Sequence, residues 1–333
     1  MRSGIATVSL AAMALADKRI ERACIICGAL TDEVLPRVVD TRFGVPGEYA
    51  ISRCSACGLE QTLPLPLPED LKLLYETYYN FGGERGTTYT RLREWFFASW
   101  LYRLWLVLDG DGSFHTRKGH GRLLDIGCNE GRGLKIYRRN GFTPEGLELN
   151  PVAARVARFA GFRVYEALLE DFRPANAYDV VVLSNVLEHS LDPKRMLQDV
   201  ARILKPGGQI WISCPNRESW QRRVFGRAWI NWHIPFHIVH FSPATIRDLL
   251  AEAGFTGIRV QQISPALCVA SSAITRLFAH AGRPTRQLRN PVLILSLIAV
   301  ARTLMFPLLY VGHRLGRGDC LVVVGNLPAV SRA

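Results

Sequence analysis

The stretch from Asp125 to Gly133, Asp-Ile-Gly-Cys-Asn-Glu-Gly-Arg-Gly, is the part of the chain best suited to do chemistry. Glycines at 127 and 131 let the backbone bend tightly and approach a ligand where a Cβ would collide. A helix starting behind such a turn points free N–H groups at anything anionic. The dinucleotide pattern G-x-G-x-x-G is not met, because Asn129 and Arg132 stand where two of its glycines belong, which disfavours a nicotinamide or flavin cofactor. Glu148 closes the next apolar stretch about twenty residues later, and an ionised carboxylate there can accept both hydroxyls of a ribose. Taken singly, Asp125 reads equally well as a turn residue and Glu148 as a solvated strand end. Their order along the chain favours the ligand reading.

A second constellation is Cys24, Cys27, Cys54 and Cys57, a C-x2-C…C-x2-C pattern with a glycine after each pair. Four thiolates in two tight knuckles suit a tetrahedral structural zinc ion, and two disulfides or unpaired thiols are the alternative. The isolated Cys128, Cys214, Cys268 and Cys320 read as small buried apolar residues. Cys128 lies in the glycine turn, where backbone rather than thiol faces a ligand. Histidines form the third group. His189 follows Glu188, while His233, His237 and His240 are spaced i, i+4, i+7. On a helix these three share a face, but Pro235 breaks a regular helix between the first two. Metal binding, a general base or acceptor contact, and a structural role are all open for them.

The elements that position these groups follow from pattern. Leu123 and Leu124 lead a buried strand into the glycine turn, and a helix is expected over 134–140. A second strand over 142–150 ends at Glu148, and Asn150-Pro151 opens a helix over 152–160. Tyr178–Leu183 is a buried strand, Leu204–Gly208 a turn into a strand over 209–214, and the last strand lies over 321–324. The cysteine pairs imply short strands over 34–40 and 48–52. The segment 63–68, Leu-Pro repeated three times, is a stiff linker. Residues 69–108 read as helical, with Trp95, Phe96, Phe97, Trp100, Tyr102 and Trp105 crowding the second half as a lid or a lipid-facing surface.

The ordered series resembles the class I S-adenosylmethionine (SAM)-dependent methyltransferases. Asp125–Gly133 is similar to their first motif, with Asn129 in place of a frequent glycine. The string Ser184–Pro193 is similar to the fourth motif of the ubiquinone-biosynthesis-like group, and Leu204-Lys205-Pro206-Gly207-Gly208 to its turn into the fifth strand. The resemblance implies an α/β fold, a Rossmann-like seven-stranded sheet with an N-terminal zinc ribbon and a C-terminal apolar helical insertion. It implies SAM held at its methionine end by Asp125, Gly127, Cys128, Asn129 and Gly131, at the ribose by Glu148 and Leu149, and at the adenine by Glu170 and Asp171. Asn185, Glu188 and His189 would line the mouth where the methyl leaves, with His189, His233 or His237 as base for a hydroxyl acceptor. The expected organisation is an extension over 1–20, a zinc ribbon over 21–62, a linker and aromatic helical region over 63–118, and a methyltransferase domain over 119–327. That domain carries insertions at 215–241 and 265–318.

The chain has 333 residues and a net charge of +12, which favours acidic partners such as anionic lipid, phosphorylated substrates or nucleic acid. No Lys/Arg run with interleaved aromatics supports a nucleic-acid groove. The apolar stretch 291–312 is interrupted by Arg302 and Pro307, so peripheral contact with an anionic membrane fits better than a span. Residues 4–16 are weakly like a signal peptide, but a zinc ribbon and a SAM enzyme point to the cytoplasm. The first expectation is O-methylation of a small-molecule, sugar or lipid-linked acceptor. Quinone or phenol O-methylation, RNA methylation and an inactive membrane scaffold are the rivals.

Overall fold

The computed structural model describes residues 22–78, 95–279, 284–285, 291–304 and 306–329. The extension over 1–20, with its signal-like stretch, lies outside them, as does the middle of the expected helix over 69–108. The strands are β1 (Thr31–Val38), β2 (Tyr49–Cys54), β3 (Glu60–Leu63), β4 (Arg122–Ile126), β5 (Thr143–Leu147), β6 (Arg163–Tyr165), β7 (Tyr178–Ser184), β8 (Leu204–Pro215), β9 (Val239–His240), β10 (Thr256–Ile263) and β11 (Cys320–Asn326). Their residues fall into two compact units, each built from three separate stretches of chain.

The first, the sheet unit, holds the described residues of Glu84–Pro215, Pro243–Ile263 and Cys320–Ala333. Its seven strands run in the order β10-β11-β8-β7-β4-β5-β6. The pairs from β8 through β6 are parallel, while β11 is antiparallel to both β8 and β10. The seven-stranded sheet expected from the resemblance is therefore present. Helices covering both faces of a parallel sheet make its strands near-continuous apolar runs, and Val181, Val182 and Leu183 of β7 are 0% exposed. Between strands run the helices Arg132–Arg139, Pro151–Phe159 and Pro193–Ile203, the last two capped by the side chains of Asn150 and Asp192. The expected turn at 204–208 is instead a bulge inside β8. Tyr178 pairs with Leu204 but Val180 pairs with Gln209, and the Gly207 and Gly208 backbone bonds Leu327, so the extra residues stay in the sheet. The aromatic helix is interrupted at Ser99, whose backbone is extended, before Trp100–Asp109.

The second, the cysteine unit, gathers the described residues of Met1–Gly83, Asn216–Ser242 and Ser264–Asp319. Its sheet is antiparallel in the order β1-β2-β3-β9. Thus the segments read from sequence as two insertions pack with the cysteine region. Helices Ala266–Phe278, Pro291–Leu304 and Phe306–Arg314 belong here, and Ala266, Val269 and Ala270 pack against Ala301 and Leu309. Among the described residues no helix is long and apolar enough to cross a membrane.

Candidate functional site

At the carboxyl end of β4 the chain enters the glycine turn. Gly127, Asn129 and Gly131 have φ of 70°, 49° and 75°. A Cβ on Gly131 would lie 2.8 Å from the Ala157 Cβ, so this left-handed turn needs glycine for space as well as for conformation. Asn129 tolerates the conformation by donating its side-chain amide to the Gly127 carbonyl at 2.9 Å. Gly131 caps helix Arg132–Arg139, whose basic last turn complements its dipole. Cys128 is 5% exposed, and its sulfur stands 2.4 Å from where a Gly146 Cβ would be. Its thiol packs onto β5 and has no access to a ligand.

Glu148 sits one residue beyond β5 and is 9% exposed. One carboxylate oxygen accepts the Asn129 N–H at 2.8 Å and the other accepts the Asn150 N–H at 2.8 Å. These bonds aim the carboxylate and leave lone pairs on both oxygens for further donors. Asp125 is buried, and desolvation, with Glu148 nearby, pushes its pKa up to about 7. Its carboxylate oxygen and the Tyr137 ring border the space above Gly133, at 3.0 and 3.3 Å from where a Cβ would be. A carboxylate at the cradle over Gly133, which a Cβ would crowd, beside a second carboxylate locked by two amides, fits the amino-acid and ribose ends of SAM.

The other expected cofactor residues divide. Val186 approaches the turn, its methyl 3.0 Å from a Cβ placed on Gly127. In the same segment Asn185 has φ 54° and Leu187–His189 form a short 3-10 turn. Glu188 is 1% exposed, and desolvation pushes its pKa up to about 8. His189 is half-buried, Leu149 is 60% exposed, and Glu170 and Asp171 lie exposed in a turn after β6.

In the cysteine unit all four expected sulfurs lie within 4.8 Å of one another. Cys24 Sγ is 3.6 Å from Cys57 Sγ, and Cys27 Sγ is 3.4 Å from Cys54 Sγ. A disulfide needs about 2.05 Å, whereas zinc–sulfur bonds of about 2.3 Å in a tetrahedron set sulfurs ~3.8 Å apart. The two knuckles repeat one turn. The Gly28 N–H donates to the Cys24 carbonyl at 2.8 Å and the Gly58 N–H to Cys54 at 3.1 Å, and both glycines are left-handed at φ 73° and 70°. The cluster is compatible with zinc.

The three later histidines do not share one face. His240 lies in β9, its Nε2 3.0 Å from the Thr62 hydroxyl. His233 and His237 form a pair, Nδ1 to Nε2 at 3.1 Å, and His237 Nδ1 lies 2.8 Å from the Asn231 carbonyl. A carbonyl accepts only, so in the neutral pair His237 carries its proton on Nδ1 and His233 donates from Nδ1. The lone pair then rests on His233 Nε2. His233 holds φ 43° and stacks on Phe43.

Some buried charges escape sequence reasoning. Glu60 is 0% exposed and is bound by Arg53, Arg217 and Arg222. Asp319, also 0% exposed, accepts from Ser219 Oγ at 2.6 Å, Trp229 Nε1 at 2.8 Å and Asn231 Nδ2 at 2.6 Å. Their partners are 88 or more residues away in sequence, apart from Arg53, so no local pattern marks them.

A methyltransferase-domain family model matches residues 90–260, about half of the chain. The ubiquinone biosynthesis O-methyltransferase of Klebsiella pneumoniae is 30% identical over 143 residues, which is 40% of this chain and 57% of the relative. The Salmonella arizonae enzyme of the same name is 31% identical with the same coverage. The chain thus spans little more than half the length of these relatives. Among solved structures, Haemonchus contortus phosphoethanolamine N-methyltransferase 2 in complex with SAM is similar, with a TM-score of 0.48 and 18% identity, covering 81% of this chain and 62% of that one.

Proposed function

The chain belongs to the methyltransferase-domain family of class I SAM-dependent enzymes, and on that premise we propose that it methylates a hydroxyl oxygen of a small molecule. The observation that carries the reading is the Glu148 carboxylate, fixed by the Asn129 and Asn150 amides beside the glycine turn. SAM, when bound, supplies an electrophilic methyl on its sulfonium. Glu148 takes the ribose hydroxyls, Asp125 takes the ammonium of the methionine end, and Gly127 to Gly131 let the backbone close on the ligand. Leu149, Glu170 and Asp171 flank the adenosine end. Asn185, Glu188 and His189 border the donor mouth. Much of the acceleration in such a transfer comes from holding the acceptor in line with the methyl. His233, with His237 behind it, has the tautomer that a base for a hydroxyl needs.

A quinone-type phenol is the acceptor best supported, since the curated relatives named above are ubiquinone biosynthesis O-methyltransferases. Glycan, lipid-linked and membrane partners draw no support from the fold or the relatives, and RNA none beyond net charge. Zinc in the cysteine cluster is structural in this reading.

The test is calorimetric titration of the purified protein with SAM and with its demethylated product, S-adenosylhomocysteine (SAH), followed by transfer of labelled methyl to a panel of phenols. Glu148→Ala is expected to weaken SAH binding by roughly a hundredfold, the loss of two charge-assisted hydrogen bonds. A folded, metal-loaded wild type that binds neither ligand would leave the scaffold reading standing in place of the enzyme.

A further inference from the structure

Outside the residues assigned above, the sheet unit holds a half-buried imidazole that the sequence motifs do not mark. His115 lies in the loop between helix Trp100–Asp109 and β4. It is pinned from several sides. Asp111 accepts its backbone N–H at 2.9 Å, its carbonyl accepts the Asn140 amide at 2.8 Å, and its ring meets Tyr137 edge-on at 5.5 Å. Its Nδ1 lies 2.6 Å from the Tyr102 hydroxyl. Its Nε2 lies 3.5 Å from the position of a Gly133 Cβ, the same point that Asp125 Oδ2 approaches to 3.0 Å. The imidazole therefore reaches from the aromatic helix to the cradle bordered by Asp125.

We propose that His115 is a positioning residue for Asp125: neutral and protonated on Nε2, it turns an N–H toward the cradle that holds the carboxylate, while Tyr102 donates to Nδ1 and fixes that tautomer. The proposal rests on the cofactor reading, because the state it protects is an ionised Asp125 able to receive the ligand's ammonium. Chemistry demands such help. The groups facing Asp125 include Glu148, Cys128 and Tyr137, none of which is a cation. An N–H dipole favours the charged carboxylate. His115 can remain a neutral donor because burial, with the Arg132 charge, outweighs Asp111 and pushes its pKa down to about 4. Helix Trp100–Asp109 acquires a role by the same route, since Tyr102 is its contact with the imidazole.

The test reads the pH dependence of SAH binding between about pH 5.5 and 9 in the full-length protein. Wild type is expected to lose affinity on the acid side as Asp125 protonates. His115→Ala is expected to move that midpoint up by about one unit, weakening binding roughly fivefold near pH 7 and approaching tenfold on the acid side. His115→Gln keeps an N–H donor and is expected to stay close to wild type, a rescue that a merely structural role does not predict. Tyr102→Phe is expected to produce a smaller shift in the same direction. An unchanged midpoint in folded His115→Ala overturns the proposal with the cofactor reading intact, whereas absence of SAH binding by wild type removes both. If the alanine variant does not fold, the ring nitrogen shifts of His115 in isotope-labelled wild type decide, and a proton found on Nδ1 overturns the proposal.

Discussion

In the sheet unit the fully buried positions are chiefly aliphatic and aromatic: Leu123, Phe114, Val181, Val182 and Ile212 are all 0% exposed. In the cysteine unit Glu60, Gln61, Gln221 and Asp319 are equally buried. Apolar burial is non-directional and degrades gradually when an atom is lost. A buried polar network loses far more when one member goes, because each remaining partner keeps its desolvation cost without its bond. The sheet unit should therefore tolerate small changes that the cysteine unit does not.

The largest break is expected at the cysteine cluster. One zinc ion per chain should be found by elemental analysis, and structural zinc contributes on the order of 10 kcal/mol in small domains. Cys54→Ser should abolish metal retention and erase amide-exchange protection in β2 and β3 while β4 and β7 stay protected. Equal loss in all four strands would end the contrast. Next in size, Asp319→Ala orphans three neutral donors and should cost roughly 1–3 kcal/mol for each that stays buried, in denaturant unfolding of the metal-loaded protein. A cost below that of a typical core truncation would show that the network is dispensable.

Asp125 sharpens the comparison from the other side, as a carboxyl group that the sheet unit buries at the glycine turn. Its folded pKa is raised from 3.8 to about 7, so across that window the folded state holds a proton that the unfolded state has released. Stability is therefore greatest at the acid end of the window and falls as pH rises through it, by up to roughly 4 kcal/mol. Asp125→Asn should remove this decline, unfolding at higher temperature than wild type at pH 8 without ligand while losing SAH affinity. A wild-type protein whose stability rises between pH 5 and 8, with no gain from the variant, would contradict the assignment. The smallest effect is a packing one. Gly146→Ala drives a methyl into the Cys128 sulfur, which stands 2.4 Å from that point, and should cost about 1–3 kcal/mol. Cys128→Ala in the same chain should recover most of it.

Legibility in the sequence follows the same division. Strands β4 and β7 carry apolar runs that close at Gly127 and Asn185, and the turn between Gly127 and Gly131 is visible because its conformation requires glycine at fixed spacing. The cysteine knuckles are legible for the same reason, since adjacent residues make the geometry. What escapes is non-local. β9 is two residues long and exists only because Glu60 pairs with His240 and Gln61 with Val239, and the Thr62 hydroxyl donates to the His237 carbonyl at 2.7 Å across 175 positions. Nor does residue type distinguish a buried Glu60 from a solvated one. His115 is silent for a related reason: its partners Tyr102 and Tyr137 lie on either side of it at distances no periodicity connects. The reading of 204–208 as a plain turn followed Pro206 and Gly207 correctly as a local break. It missed that the neighbouring strand ends supply hydrogen bonds that keep the loop in register.

The interleaving of the two units bears on how the protein is made. β11 lies between β8 and β10 and comes from residues 320–326, and the cysteine unit draws on the chain as far as Asp319. A ribosome emitting the polypeptide delivers the four cysteines well before residues 216–242 and 264–319, which complete their unit. Until those residues and β11 have emerged, neither unit can finish folding. The nascent chain exposes β8 without one neighbour and Glu60 without Arg217 and Arg222, and that interval is when chaperones, metal supply and proteases have their opportunity to act.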